Sequence, residues 1–316
     1  MKKYHSNTGK KYPRDMVGYG SKNLEVKWPN NAKIALQIVL NYEEGAENCV
    51  LHGDKTSEVF LSEIIGAQPI KGRHINMESI YEYGSKRGFW RVHDLLQEKN
   101  IPITIFGVGM ALERNQDVCD AIKKANYEVA SHGWRWIDYQ NFSKSKEKEH
   151  MNLAIKSIKK NFGERPFGWY TGRCSPNTLD LVMEEGGFLY CSDSYSDDLP
   201  YWEKRGNKKQ LIVPYTLDNN DMRFATNQGF NSGEQFYTYL KDSFDALYNE
   251  GKTFPKMMSV GLHCRLIGRP GRIQSLKKFL NYVSKFKDIC LNVLVSGFIV
   301  VSQSWSAFIS PRPLYL

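Results

Sequence analysis

The sequence has no CxxC pair and no regular cysteine spacing. Its six cysteines, Cys49, Cys119, Cys174, Cys191, Cys264 and Cys290, are scattered, so reduced thiols in a cytoplasmic protein are the expectation. The opening "MKKYHSNTGKKYPRD" lacks the apolar run of a secretory signal. No internal repeat and no linker divides the chain. The formal charge of +9 comes without a recognition helix or a stacking platform. Lysines are instead mixed with glutamates in stretches such as "KSKEKEHMNLAIKSIKK", the pattern of a solvated helix face, and no nucleic-acid partner is expected. Hydrophobic residues at 41% and charged residues at 24% describe a soluble globular protein with a full core.

What is present is an alternation. Short apolar, β-branched runs end abruptly in polar residues: "KIALQIVLNYEEG", "PITIFGVGM", "YEVASHGWRW", "FGWYTGRCSP", "GFLYCSDSYSDD", "QLIVPYTLDNND" and "KMMSVGLHCRLIG". Between them lie helical patterns such as "GFWRVHDLLQEKN", "NQDVCDAIKKAN", "LDLVMEEG" and "GEQFYTYLKDSFDALYNEG", the last closing on a C-cap glycine. Strand alternating with helix implies a parallel sheet covered by helices. Seven such strands, nearly all ending in polar groups, fit a closed or nearly closed α/β barrel, whose active site gathers at the C-terminal strand ends. We divide the chain into an N-terminal arm over residues 1–30, a barrel over 31–288 and a tail over 289–316.

The strand ends carry Glu43 and Glu44, His132, Arg173, Asp193, Asp218, and His263 with Arg265. Two adjacent carboxylates at a barrel mouth repel each other unless they are used. One can act as a general base while the other orients water or a histidine. An "EEG" turn by itself is more often a surface turn, and a single histidine is more often a satisfied core residue. Two histidines and two carboxylates on separate strand ends are harder to assign to packing. Arg173, among turn formers with Pro176 fixing the chain beyond it, would position a carboxylate or a substrate carbonyl.

The series "LNYEEG", "ASHGWRW", "GWYTGRCSPNT", "CSDSYSDDLPYW" and "SVGLHCRLIGRPGR" resembles the five ordered motifs of the polysaccharide deacetylase superfamily. The strings "YPRDMVGYG", "IFGVGMALERN", "LDNNDMRFAT" and "RLIGRPGR" are similar to its metal-independent allantoinase branch, over about residues 12 to 288. The resemblance implies a distorted (β/α) barrel. It also implies hydrolysis of a small cyclic amide, allantoin, to allantoate, and a homo-oligomer, by resemblance a tetramer. Deacetylases of the superfamily pair two aspartates, one a base and one a metal ligand, and carry two ligand histidines four residues apart. Here those places hold Glu43 and Glu44, then His132 and Trp136. Indole cannot replace imidazole on a metal that needs three protein ligands. The resemblance therefore implies chemistry with no metal and no cofactor.

On that reading Glu43 is the general base and His263 the acid that protonates the departing ring nitrogen. Glu44 and His132 form a polar pair that orients water or substrate. Arg173 and Arg265, or backbone N–H groups near them, stabilise the developing oxyanion, Asp193 holds a histidine or the ureido group, and Trp136 walls the pocket or simply packs. The alternatives are a cyclic-imide hydrolase, a metal-dependent carbohydrate N-deacetylase and an inactive variant. The last arises because "CLNVLVSGFIVVSQSWSAFISPRPLYL" departs from the family after Asp288 and holds no charge before Arg312. That run is a weak membrane candidate; an aberrant terminus whose apolar half supplies a final strand is the preferred expectation.

Overall fold

The computed structural model describes residues 14–18, 21 and 26–292. The central strand is β1 (Ile34–Tyr42), buried along its whole length. Ile34, Leu36, Ile38, Leu40 and Tyr42 face the helical layer, whereas Ala35 and Val39 face the barrel interior. The same alternation turns Gln37, Asn41 and Glu43 inward.

Along one edge, β1 pairs in parallel with β8 (Lys256–His263), from Ile34↔Lys256 to Asn41↔His263. Its other edge is shared. β9 (Ile289–Asn292) takes the first half, and β2 (Thr104–Gly107) takes the second from Val39↔Thr104 to Tyr42↔Gly107. The sheet then continues in parallel through β3 (Glu128–Ser131), β4 (Gly168–Trp169), β5 (Tyr190–Cys191) and β7 (Lys208–Ile212). β6 (Tyr201–Arg205) adds an antiparallel edge on β7. Beyond β7, Asn220 bridges Gly261 of β8, so the curled sheet meets itself across one parallel bridge. The seven expected runs are β1 to β5, β7 and β8, all parallel, in the distorted barrel that the resemblance implied.

The helices are α1 (Ile75–Tyr83), α2 (Phe89–Glu98), α3 (Gly109–Leu112), α4 (Gln116–Lys124), α5 (Lys144–Phe162), α6 (Thr178–Glu185), α7 (Gly233–Glu250), α8 (Cys264–Ile267) and α9 (Pro270–Val283). Asn115, Ser143 and Ser232 cap α4, α5 and α7, each accepting from the backbone N–H three residues on. On α5, Met151, Ala154 and Ile158 are buried while most of its lysines stay in solvent. Gly251 does end α7, but in a right-handed conformation (φ −63°). A Cβ there would lie 2.2 Å from the Lys33 carbonyl, so the glycine admits a close backbone crossing rather than a left-handed cap.

Most of the proposed arm and of the proposed tail lies outside the described residues. Val26 and Trp28 are buried against the barrel foot, with Trp28 Nε1 donating to the Lys256 carbonyl at 2.8 Å. From the tail, Ile289–Asn292 form β9. No helix among the described residues is long and apolar enough to cross a membrane.

Candidate active site

Three strand ends deliver one buried cluster. Glu43 follows β1, His132 follows β3, and His263 ends β8. Glu43 Oε1 lies 3.2 Å from His132 Nε2 and 3.5 Å from His263 Nε2. The other carboxylate oxygen, Oε2, lies 2.8 Å from Arg265 Nη2, off the hydrogen-bond axis, so this is a charge contact rather than an aligned bond. His263 is braced from behind by Asp221. Its Nδ1 is 2.6 Å from Asp221 Oδ1, while the backbone N–H groups of His263 and Ile267 donate to Oδ2 at 2.8 and 2.9 Å. That arrangement places Nδ1–H on Asp221 and points Nε2 at Glu43.

The electrostatics separate the two partners. Burial pushes the Glu43 carboxyl upward, but the charges of Arg265 and His263 and the hydrogen bond with His132 outweigh it and hold it well below the usual range. Burial opposes charge on His263, yet Glu43 and Asp221 overcome it and lift the imidazole to about 9. At neutral pH the cluster therefore holds an ionised carboxylate beside a protonated imidazole, a base and an acid around a shared oxygen.

Glu44 and His132 do not form the expected pair. His132 turns to Glu43, while Glu44 points to the helical side, its Oε2 accepting from the Glu43 backbone N–H at 3.0 Å and its Oε1 lying 3.4 Å from Arg265 Nη1. Burial raises the Glu44 carboxyl; Arg265 opposes this and the Glu43 charge reinforces it. The alternation of β1 explains the split: consecutive residues leave a strand on opposite faces. Room for Glu44 comes from Gly84, at the start of a π turn (Gly84–Gly88) joining α1 to α2, where a Cβ would sit 2.3 Å from Glu44 Oε1.

Trp136 is buried among protein side chains. The Arg173 guanidinium lies 4.0 Å from its ring centroid, Arg265 lies 5.1 Å away, and Phe60 stacks at 5.9 Å. These contacts are those of a packed side chain. Arg173 stands 3.6 Å from the buried Glu58, and its Nε and Nη2 are buried without a hydrogen-bond partner. Asp193 accepts from the backbone N–H groups of Thr171 and Gly172 at 2.8–3.0 Å, and burial raises its carboxyl despite them. It holds a turn, not a histidine side chain. Asp218 is exposed, bonded to Thr216 and Tyr239, and lies outside the cluster. The carboxylate that braces His263 is instead Asp221: in "LDNND" it lies one residue beyond Asn220, which caps the short turn Asp221–Ala225.

A strap over Glu58–Leu61 reaches Arg265 and Tyr81 beside the cluster. The Leu61 carbonyl accepts from Arg265 Nε at 2.9 Å, and Tyr81 Oη donates to the Phe60 carbonyl at 3.1 Å. Leu61 is held at φ 55°, a left-handed conformation costly for leucine. A groove of about 1040 Å³ runs along the seam between the segment after β7 and β8, lined by Tyr195, Tyr215, Asn219 and Ser259; Glu43 does not line it.

A divalent metal of the deacetylase kind does not fit these residues. The indole of Trp136 cannot ligate an ion, Glu44 faces away from His132, and Asp193 is committed to two backbone N–H groups. Among the described residues no three His, Cys, Asp or Glu side chains converge to hold an ion.

Residues 76–184 match the polysaccharide deacetylase family. A Schizosaccharomyces pombe protein named for a polysaccharide deacetylase is 41% identical, covering 93% of this chain and 97% of that protein. The chain therefore belongs to the polysaccharide deacetylase family, a class of hydrolases. Within that class, the crystal structure of Puue allantoinase superposes with a TM-score of 0.89 at 53% identity, over 94% of this chain and 98% of the other. A polysaccharide deacetylase homologue from Pseudomonas aeruginosa PAO1 gives 0.89 at 54% identity, over 93% and 98%.

Proposed function

We propose that the chain is an allantoinase that opens the hydantoin ring of allantoin to allantoate without a metal. The observation that carries this is the single Glu43 oxygen set within 3.5 Å of two imidazoles, one of them braced by Asp221. A hydantoin carbonyl flanked by electron-withdrawing nitrogen is an easier target than a linear amide, so a base and an acid can replace a Lewis acid. Glu43 takes a proton from water as its oxygen attacks the ring carbonyl. The C–N bond then breaks while His263 protonates the departing nitrogen. Glu43, now protonated, returns its proton to the neutral His263 across the same 3.5 Å gap, and the site is reset. Each proton transfer contributes ~10²–10⁴-fold. The likeness to Puue allantoinase supports the substrate.

The names of the S. pombe and P. aeruginosa relatives favour a second reading, N-deacetylation of a carbohydrate. A substrate panel of allantoin, hydantoin, succinimide and an N-acetylated chitooligosaccharide, run on metal-stripped protein, separates the two. Ureido-acid formation from allantoin with EDTA present is the expected result. Activity only on the acetylated sugar, or activity that EDTA removes and Zn²⁺ restores, overturns it.

A further inference from the structure

We infer that Arg265 is a positioning residue of this site: its guanidinium is a fixed counter-ion holding both Glu43 and Glu44, and it does not touch substrate. The inference rests on the catalytic role proposed for Glu43 and replaces the oxyanion role expected from the sequence. Arg265 is fully buried. Nη2 lies 2.8 Å from Glu43 Oε2, Nη1 lies 3.4 Å from Glu44 Oε1, and Nε donates to the Leu61 carbonyl at 2.9 Å. The rings of Tyr81 and Trp136 lie over it at 4.2 and 5.1 Å. Nε and Nη1 are hydrogen-bonded, Nη2 lies in charge contact with Glu43 Oε2, and the rings of Tyr81 and Trp136 lie against the group, so the buried guanidinium is held by the protein rather than presented to a developing oxyanion.

Two neighbouring carboxylates in a buried site repel each other and lose hydration, and a cation beside both offsets the two penalties. Arginine suits the position because a planar fork can meet two carboxylates and a carbonyl at once, which a lysine point charge cannot. The backbone around it is set by the same anchor that sets the acid, since Asp221 Oδ2 takes the N–H groups of both His263 and Ile267. One turn from β8 into α8 therefore delivers the proton donor and the counter-ion for the base together. The Leu61 bond ties the strap to the same guanidinium.

The test is a cycle of Arg265→Gln, Glu43→Gln and the double variant in the full-length protein, read by thermal unfolding and, for Arg265→Lys, by allantoin kinetics. Arg265→Gln is expected to lower Tm by about 5–15 °C. Adding Glu43→Gln to it is expected to recover part of the loss, because an uncompensated buried carboxylate is removed. If Arg265→Gln alone gives no folded protein, recovery of folded protein in the double variant is the supporting outcome. Additive losses, or no recovery, overturn the inference. Arg265→Lys is expected to lower kcat at least tenfold with KM within about threefold; a raised KM with kcat retained would mean substrate contact and overturn it. Wild-type protein inactive on allantoin would sink the proposed function, while the unfolding cycle would still decide the role of Arg265.

Discussion

His263 Nε2 lies 3.5 Å from Glu43 Oε1, and its other nitrogen is locked on Asp221 at 2.6 Å. The imidazole can therefore neither flip nor change tautomer without breaking a buried charge contact. In the proposed mechanism the proton it gives away returns through Glu43. Glu43→Gln keeps the size and removes the base. Steady-state kinetics on allantoin should show kcat reduced ~10²–10⁴-fold with KM little changed. Retention of most turnover would remove Glu43 from the base role.

The same geometry sets a pH profile. The proposed mechanism requires Glu43 ionised and His263 protonated. The rate should hold across neutral pH, fall as pH rises through about 9, and fall at acid pH only below the usual carboxylate range. Asp221→Asn removes one of the two negative charges that raise His263. Its alkaline limb should move down by at least one pH unit, with neutral-pH kcat lowered in step. An unmoved alkaline limb would assign that limb to another group. Stability follows the same sign: a His263 pKa raised from 6.5 to about 9 contributes stability present below pH 6.5 and lost as pH rises through 9.

The strand-end pattern was legible because a parallel barrel buries both faces of each strand, so apolar runs stop where the mouth begins. Glu43, His132 and His263 could be named from those stops alone. Their partners could not. Glu43 and Glu44 are adjacent letters with opposite fates, and only the facing direction of β1 assigns the first to the interior. Asp218 is the first carboxylate after its strand, yet a short turn carries the chain on so that Asp221 reaches His263. The surroundings of Arg265 and Trp136 were not legible either, because a sequence does not show which side chains pack against a given residue. α1 is faint in the sequence for a related reason: a long loop precedes it, and its apolar stripe is short, with Met77 and Tyr81 buried.

Gly84 offers a test of the Glu44 setting. Its backbone is right-handed helical (φ −54°, ψ −50°), so alanine suits it conformationally and by propensity gains up to about 1 kcal/mol. The obstacle is the Glu44 carboxyl, with Oε1, Cγ and Cδ at 2.3, 2.7 and 2.8 Å from a new Cβ. Gly84→Ala should lower Tm by several degrees in the wild-type background. In a Glu44→Ala background the same change should be neutral or stabilising. A sign that does not reverse would show that Gly84 is needed by the π turn itself.

Glu47 carries the final prediction. It lies behind Glu44, 6% exposed, with Oε2 accepting from the Gly45 N–H at 2.7 Å. Burial pushes its carboxyl up to about 7, against the backbone hydrogen bonds and the more distant Arg265. For a carboxyl raised in the folded state, the folded chain binds the proton more tightly than the unfolded one. Its contribution to stability is therefore present below pH 4.5 and is lost as pH rises through 7. Glutamine keeps an oxygen for the Gly45 N–H and never ionises. Glu47→Gln should leave Tm at pH 5 nearly unchanged and raise it by about 2–5 °C at pH 8.5. Melting curves at the two pH values decide it: a Tm lowered at pH 8.5 would mean that the Glu47 charge is used, and that the carboxylate belongs to the working site.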